Sequence, residues 1–93
     1  MTEKRTKKLK CIIDYYGKEN QIVKTLEEMG ELQQVLAKSI TQPDKVAKTE
    51  VSTEIADVEI MLNQMKIIFD CEKDVEFWKP MKISRQFERM GNE

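Results

Sequence analysis

Apolar residues recur along this chain with the period of a helix. Leu9, Ile12, Ile13 and Tyr16 stand at i, i+3, i+4 and i+7, and Gly17 follows as a stop, so the spacing predicts a first helix over roughly residues 3–16. A second pattern runs from about Glu19 to Ile40, with Ile22, Leu26, Met29, Leu36 and Ile40 along one face and Leu32 and Val35 widening it. In Thr41-Gln42-Pro43-Asp44 a hydroxyl residue precedes a carboxylate by three positions, with a proline just inside. That is a helix-start signature, and the third helix is expected to run from there to about Phe69. The period weakens after Cys71. Pro80 disfavours helix at Lys79 but suits a first turn, which places a fourth helix over roughly residues 80–90.

The two middle helices would span on the order of 33 to 39 Å at 1.5 Å per residue, and both carry apolar residues on more than one side. One antiparallel pair cannot bury that much surface, even with two short flanking helices, so the expected form is an all-α helical bundle assembled as a homodimer or homotetramer. Composition supports the helices: 93 residues include only 3 Gly and 2 Pro, and a chain of this length supports a single domain, here residues 1–93. The basic N-terminus lacks an apolar h-region, and no segment approaches the roughly 20 apolar residues of a membrane helix. The expectation is a cytoplasmic protein with no membrane partner.

The net charge of −1, from 16 Lys plus Arg against 17 Asp plus Glu, hides a strong asymmetry. Residues 19–76 carry six cations and 13 anions, whereas residues 1–10 carry five cations and one anion, and residues 77–93 four cations and two anions. The acidic middle argues against nucleic acid as a partner, and Lys4, Arg5, Lys7, Lys8 and Lys10 read as a solubilising start. Histidine is absent. This removes Ser-His-Asp and Cys-His catalysis, His-ligated zinc and the Glu-x-x-His pairs of carboxylate di-iron bundles. Cys11 and Cys71 are too far apart for a CxxC motif and are expected as buried free thiols, and the six methionines as core filler.

The acids are placed unevenly within the middle. Glu28/Glu31 and Glu54/Asp57 are i, i+3 pairs on the second and third helices. On a helical wheel Glu54 and Asp57 share the sector of Val58, Met61, Met65 and Ile68, and Glu28 shares that of Leu32 and Val35; Glu31 lies beside that sector and Glu27 further round. Four carboxylates converging between packed helices repel one another and lose hydration, which protons or metal ions must offset. Oxygen donors without thiolate or imidazole select Mg²⁺, or Mn²⁺ as substitute, and Mg²⁺ on carboxylates commonly bridges substrate phosphates. The competing reading is ordinary: acidic pairs on solvated faces laced with lysines.

The run Glu27-Glu28-Met29-Gly30-Glu31, followed after 22 residues by Glu54-Ile55-Ala56-Asp57, resembles the EExxE plus ExxD signature of the MazG-like all-α nucleoside triphosphate pyrophosphohydrolases. KTLEEMGELQQVL is similar to the family's first metal helix, EIADVEIMLNQM to its second and KISRQFERM to its basic C-terminal helix, together covering roughly residues 20–90. The resemblance implies Mg²⁺-dependent hydrolysis of a nucleoside triphosphate between the α and β phosphates, giving monophosphate and pyrophosphate. It implies Glu28, Glu31, Glu54 and Asp57 as metal ligands, Glu27 beside Glu28 as the acid that orients or deprotonates the attacking water, and pockets lined partly across subunits.

Cations and aromatics supply candidates for the rest of a nucleotide. Lys82, Arg85 and Arg89 form one stripe at i, i+3, i+7 and suit the β and γ phosphates, with Lys24 a further candidate one turn before Glu28. A solvated basic face near a helix C-terminus is the alternative for that stripe. Trp78, Tyr15 and Tyr16 offer stacking surfaces for a base, and Asn63 an amide to read its edge. The rival to an enzyme is a non-catalytic helical interaction module that oligomerises or binds a partner protein.

Overall fold

A computed structural model describes residues 1–91, and the described residues form four α-helices and one 3₁₀ turn. Helix α1 spans Glu3–Tyr16 and is capped by Thr2, whose Oγ1 accepts the Arg5 N–H at 3.2 Å. Gly17, at φ +94, is the whole link to α2, Lys18–Thr41; this left-handed backbone favours glycine. Helix α3 spans Lys48–Ile68 and α4 spans Glu72–Arg89.

Two boundaries differ from the expectation. The Thr41-Asp44 signature starts only a single 3₁₀ turn, Pro43–Lys45, because Val46 and Ala47 are extended and separate it from α3. The fourth helix begins at Glu72 rather than near residue 80. Asp70 adopts φ +50, a conformation that an aspartate tolerates better than most residues, and the Cys71 N–H reaches back to the Lys66 carbonyl at 3.0 Å. This turn closes α3 without a glycine and frees Glu72 and Asp74 to open α4, where their charges suit the helix dipole. Pro80 therefore lies inside α4, where it removes the N–H that would donate to Glu76.

Helices α2 and α3 form an antiparallel hairpin: Gln21 meets Gln64 near one end, while Glu28 meets Glu54 and Asp57 further along. Helix α1 packs on both of them. Among the described residues α4 packs on α3 alone, aided by Lys66, whose Nζ lies 4.0 Å from Glu76 Oε1. The buried apolar core is small: Leu9, Ile13, Val58 and Met61.

Helix α2 faces its neighbours differently from the expected pattern. Its buried residues are Gln21, Thr25 and Glu28, all polar, and Leu32 and Val35 continue that seam half-buried. Leu26, Met29, Leu36 and Ile40, expected on the packing face, are exposed. Of the methionines only Met61 is fully buried; Met1, Met29, Met81 and Met90 are exposed. Both cysteines are free, but Cys11 is exposed and Cys71 half-buried. Among the described residues no helix is long and apolar enough to cross a membrane.

Helix α4 has no buried residue, and Phe77, Trp78, Met81, Ile83 and Phe87 all stand in the open. The radius of gyration is 16.2 Å, against about 12 Å for a compact chain of this length. One copy of the chain is thus an extended arrangement with wide apolar surface.

Candidate metal centre

The hairpin brings three of the four expected ligands together. Glu28 from α2 and Glu54 and Asp57 from α3 each offer a carboxylate oxygen within 4.8 Å of the others. Their surroundings differ. Glu28 is buried at 8% exposure, Glu54 is half-buried and Asp57 is exposed, so the cluster runs from the seam outward to solvent. Glu28 sits on the same seam as Gln21 and Thr25 because the three follow at i, i+4, i+7; Glu54 and Asp57 reach it because they share a stripe with Met61 and Gln64 on α3.

Two features show an unmet electrostatic demand. Glu54 Oε2 is buried without a hydrogen-bond partner, which is costly for a carboxylate oxygen. Charge is also unbalanced. Lys24 Nζ lies 3.1 Å from Glu28 Oε1, whereas among the described residues no lysine or arginine pairs with Glu54 or Asp57. Hard oxygen donors suit a small divalent cation, which at about 2.1 Å from each oxygen would draw the three from within 4.8 Å to within about 4.2 Å of one another.

Glu31 is exposed but belongs to the same field. Its carboxyl is held above the usual carboxylate value, first by the charge of Glu28, then by desolvation, by the charge of Glu54 and by a hydrogen bond with Glu28. Protonation relieves repulsion there, and a bound cation would relieve it in the same way. Glu27 lies on the outer side with its side chain 59% exposed, and Lys24 Nζ is 4.0 Å from it. Lys24 is thus engaged with the acids of its own helix, and its ammonium is correspondingly held above the usual lysine value, chiefly by the hydrogen bond to Glu28.

Comparison with protein-family models, with curated proteins and with solved structures returns no match. The chemistry is therefore read from the geometry.

The remaining candidates lie elsewhere. Lys82, Arg85 and Arg89 project from α4, and among the described residues none of them forms an ion pair with Glu28, Glu31, Glu54 or Asp57. Trp78 is half exposed on α4, meets Phe77 edge to face and borders an open depression with Val75, Lys79 and Lys82. Asn63 is half-buried on α3. Tyr16 ends α1 exposed, edge to face against Tyr15, with its carbonyl accepting from Asn20 Nδ2.

Beside the cluster stands a polar layer that the reading of the acids passed over. Gln21 Nε2 donates to Gln64 Oε1 at 2.7 Å, Gln64 Nε2 points at Met61 Sδ at 3.8 Å, and Thr25 Oγ1 donates to the Gln21 carbonyl at 2.8 Å. Gln64 is 2% exposed. The signal was available in the sequence: positions 21, 25, 28, 32 and 35 alternate steps of four and three, the rhythm of a helix seam.

Proposed function

We propose that this chain is a Mg²⁺-dependent nucleoside triphosphate pyrophosphohydrolase acting between the α and β phosphates. The observation that carries the reading is the carboxylate trio across the α2–α3 seam, with the Glu54 oxygen buried and unpartnered. The EExxE and ExxD spacing supports the substrate class, since its two halves occupy the facing helices of that seam.

Glu28, Glu54 and Asp57 would hold the ion, with Glu31 beside them. When bound, Mg²⁺ supplies charge to the phosphoryl oxygens and acidifies a coordinated water. The protein's own groups do the rest. Lys24 holds the Glu28 carboxylate in place through its 3.1 Å contact. Glu27, next to Glu28 in sequence and on the solvent side of the pair, would orient an incoming water and take its proton. In the reaction the water oxygen bonds to the α phosphorus, the bond from that phosphorus to the bridging oxygen breaks, and pyrophosphate leaves with that oxygen.

Assembly of two or four copies is part of the proposal. The exposed apolar residues of α2 and α4 need cover, and a second copy is the source that also brings another set of α4 cations, Lys82, Arg85 and Arg89, for the β and γ phosphates. Light scattering should report a dimer or tetramer. The free thiols, one of them exposed, suit a cytoplasmic, reducing setting.

A panel of ribo-, deoxy- and modified nucleoside triphosphates should yield pyrophosphate with Mg²⁺ and none with chelator. Glu54→Gln should lower the rate by about a hundredfold or more. The exposed apolar surface of α4 also favours a second reading, a helical module that binds a partner protein without catalysis; it requires no pyrophosphate release and no response of stability to Mg²⁺.

A further inference from the structure

The buried amide pair sits in a fixed relation to the acids. Gln21 lies seven residues before Glu28 on α2, and Gln64 lies seven residues after Asp57 on α3. In an antiparallel hairpin these equal offsets place Glu28 level with Asp57 whenever Gln21 is level with Gln64, about 10 Å along the axis. Glu31 and Glu54 fall level one turn further, since each stands three residues beyond its partner in the pair. The amide pair and both acidic pairs thus occupy one register.

That register opposes what the acids would choose by themselves. Glu28, Glu54 and Asp57 lie within 4.8 Å of one another with a single lysine on one of them, and sliding α3 by the turn that brings Met61 level with Glu28 would carry both α3 acids away from Glu28. Apolar contacts do not prevent such a slide, because a helix seam repeats its surface every turn or two. A hydrogen bond between two buried amides does prevent it, because it forms at one position only and any slip strands both amides away from water. Gln21 is 6% and Gln64 2% exposed, so water offers neither a replacement.

We propose that the Gln21–Gln64 hydrogen bond is the register lock of the hairpin, and that these are positioning residues which hold the carboxylates opposed before any ion arrives. Its functional meaning rests on the metal reading of the site, but the lock itself can be tested without metal. In a Cys11→Ser/Cys71→Ser background, Glu28→Cys with Asp57→Cys reports the register as the rate of disulfide formation under mild oxidation. Replacing the amides by the pair Gln21→Leu/Gln64→Leu should leave the chain helical and melting at or above the parent temperature. The 28–57 crosslink should nevertheless slow about tenfold. A slipped crosslink, 28–61, should then appear when Glu28→Cys is combined instead with Met61→Cys. In the chain that keeps its acids, the same leucine pair should weaken Mn²⁺ binding by about tenfold or more.

An unchanged 28–57 crosslinking rate in the leucine pair would overturn the lock, since apolar packing would then be setting the register. A slipped crosslink pattern with undiminished Mn²⁺ affinity would overturn its link to the site. If the leucine pair fails to fold, Gln21→Met/Gln64→Met, closer in shape, is read by the same two criteria. Failure of the parent to bind Mn²⁺ would end the metal reading while leaving the crosslinking result to stand on its own.

Discussion

The α2–α3 hairpin and helix α4 invert the usual relation between polarity and burial. The hairpin buries Gln21, Thr25, Glu28 and Gln64 in its seam, whereas α4 leaves Phe77, Trp78, Met81, Ile83 and Phe87 exposed. A lone globular chain would exchange these environments. The inversion fits a hairpin organised around a site that needs polar groups held dry, and an α4 organised around a surface outside its own chain.

Deleting volume in each region should separate the two most strongly. Met61→Ala, inside the small core, should cost about 2–5 kcal/mol, lowering the melting temperature by about 8 °C or more at roughly 4–8 °C per kcal/mol. The loss should be the same at every protein concentration. Phe87→Ala on α4 should do little at high dilution and progressively more as concentration rises and copies assemble. Equal, concentration-independent losses in thermal melts would show that α4 does not serve assembly.

Next in size is the response to divalent ion. Mg²⁺ at a hundred times its dissociation constant should add about 2.7 kcal/mol to stability; Glu54→Gln should remove that gain, and Arg85→Ala should leave it in place. The pH dependence has a definite sign. Because Glu31 is held above the usual carboxylate value, mainly by Glu28, the folded metal-free chain takes up a proton more readily than the unfolded one. Its contribution should therefore make the metal-free chain more stable as pH falls through that raised value toward the ordinary one, with no further gain below both. The Mg²⁺ increment should shrink over the same window as protons compete. Paired melts with and without Mg²⁺ from neutral to mildly acidic pH check both slopes.

The smallest effect belongs to the joint between the two regions. Glu76 is held below the usual carboxylate value first by its hydrogen bond to Lys79, 3.1 Å away, then by the charges of Lys79 and Lys66. Its contribution is present above the ordinary glutamate value and lost as pH falls through the lowered one, opposite in sign to that of Glu31. Lys79→Met should remove most of this slope in acid melts, leaving the part due to Lys66, and change neutral stability barely at all, since the pair is exposed.

Much of the fold was legible because helix periodicity and glycine punctuation act locally. The ends of α1, the span of α2 and the inward lean of Glu28 and Glu54 all follow from residue spacing. What escaped depends on chemistry that spacing does not encode. Asp70 performs a turn usually marked by glycine, so α4 begins eight residues before its expected start. Proline rules describe an interior cost but not whether a helix accepts it, and Pro80 is accepted. The packing face of α2 departs from the apolar pattern because this chain has apolar surface to spare; its seam carries Gln21 and Thr25 instead. Of the site, the trio of acids could be read from i, i+3 spacing, but the separation of α4 from α2 is a tertiary fact that no local pattern contains.

Trp78 is the chain's single tryptophan. It stands half exposed on α4, on an element that does not pack against the helix carrying Glu28. The molecule therefore carries a built-in optical label on one of its two regions and none on the other. Indole emission will follow the wetting or drying of α4. Assembly therefore becomes visible in the protein's own fluorescence, without attaching a dye.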